Sequence, residues 1–198
     1  MNVCQEALDL IILFEVTSQA VYEKKYARPT WPGGDSGVTI GIGFDLGYET
    51  GEGLDRDWPM LPKDIRSRLK TVTGLTGAKA QAALPTLRDI AIPWAAAGES
   101  FRTATLPRYV DQTVGAFPGC ETLPALCFGT LVSLVYNRGA SVKGDRRVEM
   151  AAIRDLIRAG TLTEVPDQFR KMKRLWPTVE GLRDRREKEA CLWEGGLR

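Results

Sequence analysis

The chain has 198 residues, 43 % hydrophobic and 26 % charged, with a formal net charge of +2. That length and balance suit one globular folding unit and exclude a disordered, collagen-like or coiled-coil chain. It has no histidine, which removes Ser-His-Asp and Cys-His catalytic devices and any zinc site that needs imidazole; acid-base chemistry must rest on carboxylates, and no cofactor or metal is expected.

In chain order, Leu8, Ile11, Ile12 and Phe14, with Ala7 nearby, form an apolar stripe at helical spacing. The spacing predicts a first helix that delivers Glu15 to its C-terminal edge. Tyr26 to Gly34 carries Pro29, Pro32, Gly33 and Gly34 and reads as a loop, suited to a cleft rim. The period then changes to two: Val38, Ile40 and Ile42 alternate with Thr39, Gly41 and Gly43. This predicts one short strand, with glycine where a ligand or another backbone comes close. From Leu61 onward the pattern predicts helices at about 62–72, 77–88, 104–116, 122–137, 146–159, 162–174 and 181–193. Leu123 to Tyr136 is almost wholly apolar and predicts a central buried helix. The fold class expected is α+β, predominantly α, in one domain over residues 1–198. A small strand-containing N-terminal lobe of about 16–60 would be followed by a helical lobe of about 61–198 carrying the first helix, with a cleft between the lobes.

Charge is unevenly placed: residues 1–60 carry 4 Lys/Arg against 10 Asp/Glu, and residues 146–198 carry 13 against 9. Such a distribution suits an anionic polymer gripped by a basic C-terminal part, although solvated helix faces give the same count. Cys4, Cys120, Cys127 and Cys191 lack the close pairing of a metal or redox motif and read as free thiols, Cys4 and Cys191 being joined only if the terminal helices pack together. The apolar run Leu8 to Phe14 is broken by Asp9 and is too short for a bilayer. No targeting segment and no stable membrane insertion are expected.

A glycoside hydrolase needs one carboxyl group kept protonated in an apolar setting and a second, ionised, across the scissile bond. Glu15 fits the first requirement, since Leu10 to Phe14 precede it without interruption. The second is sought in Gly37 to Gly47, GVTIGIGFDLG, which presents Thr39 and Asp45 within one glycine-rich stretch. A threonine hydroxyl can orient a water whose proton the carboxylate attracts. A turn aspartate after an edge strand is the alternative reading of Asp45. Tyr22, Tyr26 and Trp31 lie between Glu15 and the strand. Their rings either stack on sugar or pack internally, and Tyr22 is taken forward as a substrate-binding candidate.

Three separated segments together resemble the phage-lysozyme family, including its pesticin-like branch. Glu15 followed by VTIGIGFDLG at Val38 to Gly47 resembles that family's catalytic Glu and its TIGxG strand. LVSLVYNRG at Leu131 to Gly139 is similar to the helix that backs the cleft and ends in a polar residue beside the catalytic Glu, a place taken by Asn137. Trp176 with GLRDRREKEACLW at Gly181 to Trp193 is similar to the closing GLxxRRxxE helix, and the resemblance implies that Arg183 faces Glu15. One feature departs from ordinary phage lysozymes, which place the catalytic Asp between the Glu and the TIG strand. Here that interval is long and holds only Asp35, whereas Asp45, six residues beyond Thr39, matches the order Glu, Thr, Asp of the pesticin-like branch.

The resemblance implies a muramidase cleaving the β-1,4 bond between N-acetylmuramic acid and N-acetylglucosamine. Glu15, Asp45 and Thr39 would be catalytic, and Tyr22, Asn137 and Arg183 substrate-binding. An inverting course would require carboxyl groups roughly 6.5–9.5 Å apart, a retaining one about 5 Å. The partners expected are peptidoglycan glycan strands and, for a toxin, an immunity or inhibitor protein. Neither nucleic acid nor a second copy is expected. The protein would be made in the cytoplasm and act in the periplasm or cell wall of a bacterium after release or delivery, as an endolysin or an antibacterial toxin. A lytic transglycosylase, a catalytically silent wall-binding module and a nucleic-acid-binding helical protein are the competing classes.

Overall fold

A computed structural model describes residues 3–198. The described chain is predominantly helical, with one two-stranded antiparallel sheet. Among the described residues no helix is long and apolar enough to cross a membrane. The chain divides into two compact units, and the divisions fall between Phe14 and Glu15 and between Pro107 and Arg108. Helices Leu61 to Pro107 therefore belong with the strands.

The unit from Glu15 to Pro107 is organised on the segment whose alternation predicts a single strand. It is a hairpin: β1 (Thr39–Ile40) pairs with β2 (Phe44–Asp45), Thr39 opposite Asp45 and Ile40 opposite Phe44, around the turn Gly41-Ile42-Gly43. The pivot of the reversal is Ile42, so residues of equal parity face one another across the hairpin. The period-2 alternation therefore passes through the turn without changing face. Val38, Ile40, Ile42, Phe44 and Leu46 are all buried, and Leu46 donates its N–H to the Val38 carbonyl at 2.9 Å. Gly41 and Gly43 have φ of 59° and 72°, a left-handed conformation that glycine adopts without a Cβ penalty. The group that comes close to Gly41 is the Trp58 ring, 2.4 Å from where a Cβ would stand.

The same unit holds α2 (Gln19–Lys25), α3 (Gly51–Asp57), α4 (Lys63–Lys70), α5 (Gly77–Ala83) and α6 (Trp94–Ser100). The sequence pattern anticipates α4 and α5 but not α2, α3 or α6. α2 and α3 are isolated runs of seven residues, too few for the 3.6 period to repeat, whereas the equally short α5 runs on into the 3-10 turn Leu84–Leu87. The local signals of α2 and α3 are caps: Ser18 accepts the Val21 N–H and Thr50 the Gly53 N–H, satisfying donors that a helix start leaves open, whereas α6 starts after Pro93 with no side-chain cap. The helical run from Trp94 continues through a π-helical turn, Phe101–Thr105, into α7 (Leu106–Ala116), where Leu106 donates to the Phe101 carbonyl. Pro107 explains the widening, since it has no N–H for the carbonyl one turn back and its ring crowds that carbonyl.

The other unit joins α1 (Gln5–Val16) as far as Phe14 to Arg108–Arg198. Its axis is α8 (Ala125–Arg138), in which every residue from Cys127 to Val135 is buried, as the apolar run predicts. Gly129 lets α1 approach, since a Cβ there would stand 2.5 Å from the Ala7 methyl. α9 (Val148–Ala159), α10 (Val165–Lys171) and α11 (Glu180–Gly196) complete the unit, with α11 packed on both α8 and α10. All four cysteines are free; Cys120 and Cys127 are buried, and burial pushes both thiols up to about 11.

Polar side chains cross the α8–α11 contact in its core. Glu189 is wholly buried and receives Ser133 Oγ at 2.8 Å and Arg186 Nη2 at 3.0 Å, with Arg185 Nε at 3.4 Å. Arg185 Nη2 reaches the Ser133 carbonyl at 3.2 Å, and its guanidinium lies over the Phe14 ring. Removing one member strands buried charge. Glu189→Ala is predicted to cost about 3–5 kcal/mol in urea unfolding; a loss under about 1 kcal/mol would mean that water reaches these arginines.

Candidate functional site

Glu15, Thr39 and Asp45 all lie in the hairpin unit. Glu15 is half-buried in the last turn of α1. The backbone just beyond that helix is strained: Thr17 has φ of 67°, and Ser18 donates to the Val16 carbonyl at 2.8 Å, closing a three-residue turn. Among the described residues Thr17 is the only non-glycine with positive φ. A β-branched residue in that region is held by its surroundings against its own preference, a feature that gathers at functional sites.

The structure brings Thr39 and Asp45 together. Thr39 exchanges both backbone hydrogen bonds with Thr30, at 2.7 and 3.0 Å, so its pairing with Asp45 on the other side carries none. In such a pair the two side chains stand on one face at their closest approach. Both are half-buried. Asp45 is also the residue that fixes the hairpin's open end: Oδ1 accepts from Gly37 N at 3.0 Å and from Gly47 N at 2.8 Å, and Oδ2 takes a longer contact of 3.2 Å with Gly37 N. The turn-aspartate reading of Asp45 is thus present in the geometry alongside its pairing with Thr39. The glycines are required by closeness, since a Cβ on Gly37 would stand 2.3 Å from Gly47 N and 2.4 Å from Asp45 Oδ1.

The remaining sequence candidates fall elsewhere. Tyr22 is corrected from a substrate contact to a core residue: it is fully buried, donates its hydroxyl to the Ile92 carbonyl at 3.0 Å and packs against the Trp94 ring at 5.2 Å. Burial pushes its phenol well above the usual range. Trp31 braces its own loop through Nε1 to the Ser36 carbonyl at 3.0 Å, and Tyr26 is half-buried. Asp35 is exposed. Asn137 and Arg183 belong to the other unit. Asn137 accepts from Arg186 Nη2 at 3.1 Å and lines a pocket of about 560 Å³. Arg183 is exposed, with its guanidinium 3.5 Å from the Lys173 carbonyl. The arginines that α11 turns inward are Arg185 and Arg186. The helical period separates them from Arg183, which a single position on a motif string does not.

Tyr48 is a residue that the sequence pattern alone does not single out. It is 71 % exposed, directly follows the Asp45–Gly47 turn and donates to the Asp35 carbonyl at 3.1 Å. A solvent-facing ring three residues after Asp45 leaves an aromatic face open to a ligand. Its one signal in the chain is its place next to the DLG that ends the hairpin.

No model of a known protein family matches the chain, and no curated protein does.

Two substitutions test this geometry. Gly37→Ala is predicted to destabilise the protein by about 1–3 kcal/mol, because the added methyl must push Asp45 and Gly47 apart; unchanged urea stability would contradict the contact. Thr17→Gly is predicted to raise stability by about 1 kcal/mol by releasing the positive-φ strain. A fall in melting temperature would show that the threonine side chain outweighs the strain.

Proposed function

We propose that the chain is a peptidoglycan hydrolase of the lysozyme type, with a lysozyme-like fold, cleaving the β-1,4 bond between N-acetylmuramic acid and N-acetylglucosamine. The observation that carries the reading is the Thr39–Asp45 pair, side by side on a glycine-rich hairpin within the same compact unit as Glu15. The motif resemblance at Glu15, Val38–Gly47, Leu131–Gly139 and Gly181–Trp193 supports it. Glu15 would protonate the leaving oxygen. Thr39 would hold the water, and Asp45 would draw its proton as it attacks the anomeric carbon from the opposite face, so that configuration inverts. Asp45 Oδ2, which takes only the longer arm of the Gly37 contact, has a lone pair left for that water. The protein would act on the wall after release or delivery, in the manner of an endolysin or an antibacterial toxin. Glycan strands would be its substrate and Tyr48 a sugar platform.

One observation favours a second reading. Asp45 is engaged by two backbone donors, and a carboxylate with that structural task need not handle water. Glu15 would then work alone as acid and base in a lytic transglycosylase.

The test measures turbidity loss and reducing ends released from purified peptidoglycan. Glu15→Gln and Asp45→Asn are each predicted to lose at least about 100-fold, the usual scale for general acid-base groups, while Asp35→Asn retains activity. Thr39→Ala leaves the Asp45 anchoring intact and is predicted to fall with them at an unchanged melting temperature. Full activity in Asp45→Asn and Thr39→Ala with none in Glu15→Gln would move the assignment to the second reading. No release by the wild type would remove both.

A further inference from the structure

The pocket of about 560 Å³ in the unit of α8, α9 and α11 is lined by Arg138, Lys143, Arg146, Arg147 and Trp176, with Asp145 as its one carboxylate among the described residues. Cations ordinarily gather only where carboxylates hold them, yet among the described residues no carboxylate oxygen lies within 4 Å of the charged nitrogens of Arg138, Lys143, Arg146 or Arg147. The acid nearest in sequence beyond the pocket, Glu149, is taken by Arg174 at 2.5 Å. Arg138 is the most constrained member. Its guanidinium lies 4.8 Å above the Trp176 ring, one of its Nη atoms donates to the Arg146 carbonyl, and its Nε is buried without a hydrogen-bond partner among the described residues. Burial, with Arg147, Arg186 and Arg146 close by, holds it down to about 10. α9 runs on from the 3-10 turn Asp145–Arg147 that carries Arg146 and Arg147.

We infer that this pocket binds a phosphoryl group, a phosphate monoester or a diphosphate, between Arg138, Arg146, Arg147 and Lys143. The preference for phosphate over carboxylate follows from number and shape. A carboxylate is one charge and answers one guanidinium fork, whereas a phosphoryl group offers three oxygens and up to two charges to several forks at once. The cavity is larger than a phosphate ion, and the Trp176 and Leu182 side chains give it an apolar wall, so the ligand carries a further body attached to the phosphate. This inference is independent of the muramidase reading and is read without wall hydrolysis.

The experiment titrates the full chain calorimetrically with pyrophosphate, inorganic phosphate and acetate at one ionic strength, and repeats it on Arg146→Ala/Arg147→Ala and on Arg158→Ala. Arg158 is an exposed residue of α9 outside the pocket. Pyrophosphate is expected to bind at least about tenfold more tightly than acetate, to raise the melting temperature, and to lose about tenfold or more in the double variant but not in Arg158→Ala. Flotation with phosphatidic acid vesicles against phosphatidylcholine vesicles then distinguishes the source. Pyrophosphate-sensitive flotation assigns the site to a lipid headgroup, and its absence, with pyrophosphate binding intact, assigns it to a soluble ester. Acetate binding equal to pyrophosphate, or pyrophosphate affinity unchanged in the double variant, overturns the inference.

Discussion

The hairpin unit depends on one carboxylate shared between two backbone amides. Asp45 accepts from Gly37 N before the first strand and from Gly47 N after the second, and so ties together the two ends of the reversal Gly37 to Gly47, which has only two residues of ladder on each side. A two-stranded ribbon of that size has little stability of its own. The clamp works only because positions 37 and 47 carry no side chain. Thr39 is placed opposite Asp45 by the same register. The proposed water-handling pair and the structural clamp are therefore one arrangement, and the chemistry proposed for Asp45 must use the lone pairs that the clamp leaves over.

This dual use explains which parts of the site could be read from the chain. The alternation of Val38, Ile40 and Ile42 gives the buried face correctly, and a reversal pivoting on Ile42 preserves parity and carries that face on to Phe44 and Leu46; for the same reason, the alternation conceals that a reversal occurs. The information about the turn lies in the glycines at 41 and 43, which read from sequence as room for a ligand or backbone. At Gly41 the room is filled by Trp58. The long apolar helix α8 was legible because nine consecutive buried residues leave little alternative. The isolated seven-residue helices α2 and α3 were not, since they are set by caps and by the surfaces they pack against.

Side-chain roles were less legible than elements. Tyr22 has the composition of a sugar platform and the environment of a core residue, and only burial separates the two. On α11, three arginines within four positions differ completely: Arg183 is exposed, while Arg185 and Arg186 are buried with Glu189. That buried cluster joins α8 to α11 through groups that must be satisfied together, which fixes the register of the two helices more narrowly than apolar packing would. The cations around Arg138 lie at the end of the same helix and lack such compensation.

In the proposed function, Glu15 and the hairpin cleave a glycan with water as the second substrate. The most direct measurement is mass spectrometry of peptidoglycan digested by the full chain in water labelled with heavy oxygen. Hydrolysis predicts fragments ending in reducing N-acetylmuramic acid that carry one labelled oxygen at the new end. Anhydro-muramic ends without label would contradict the role given to Thr39 and Asp45, and intact sacculi would contradict the enzymatic reading itself.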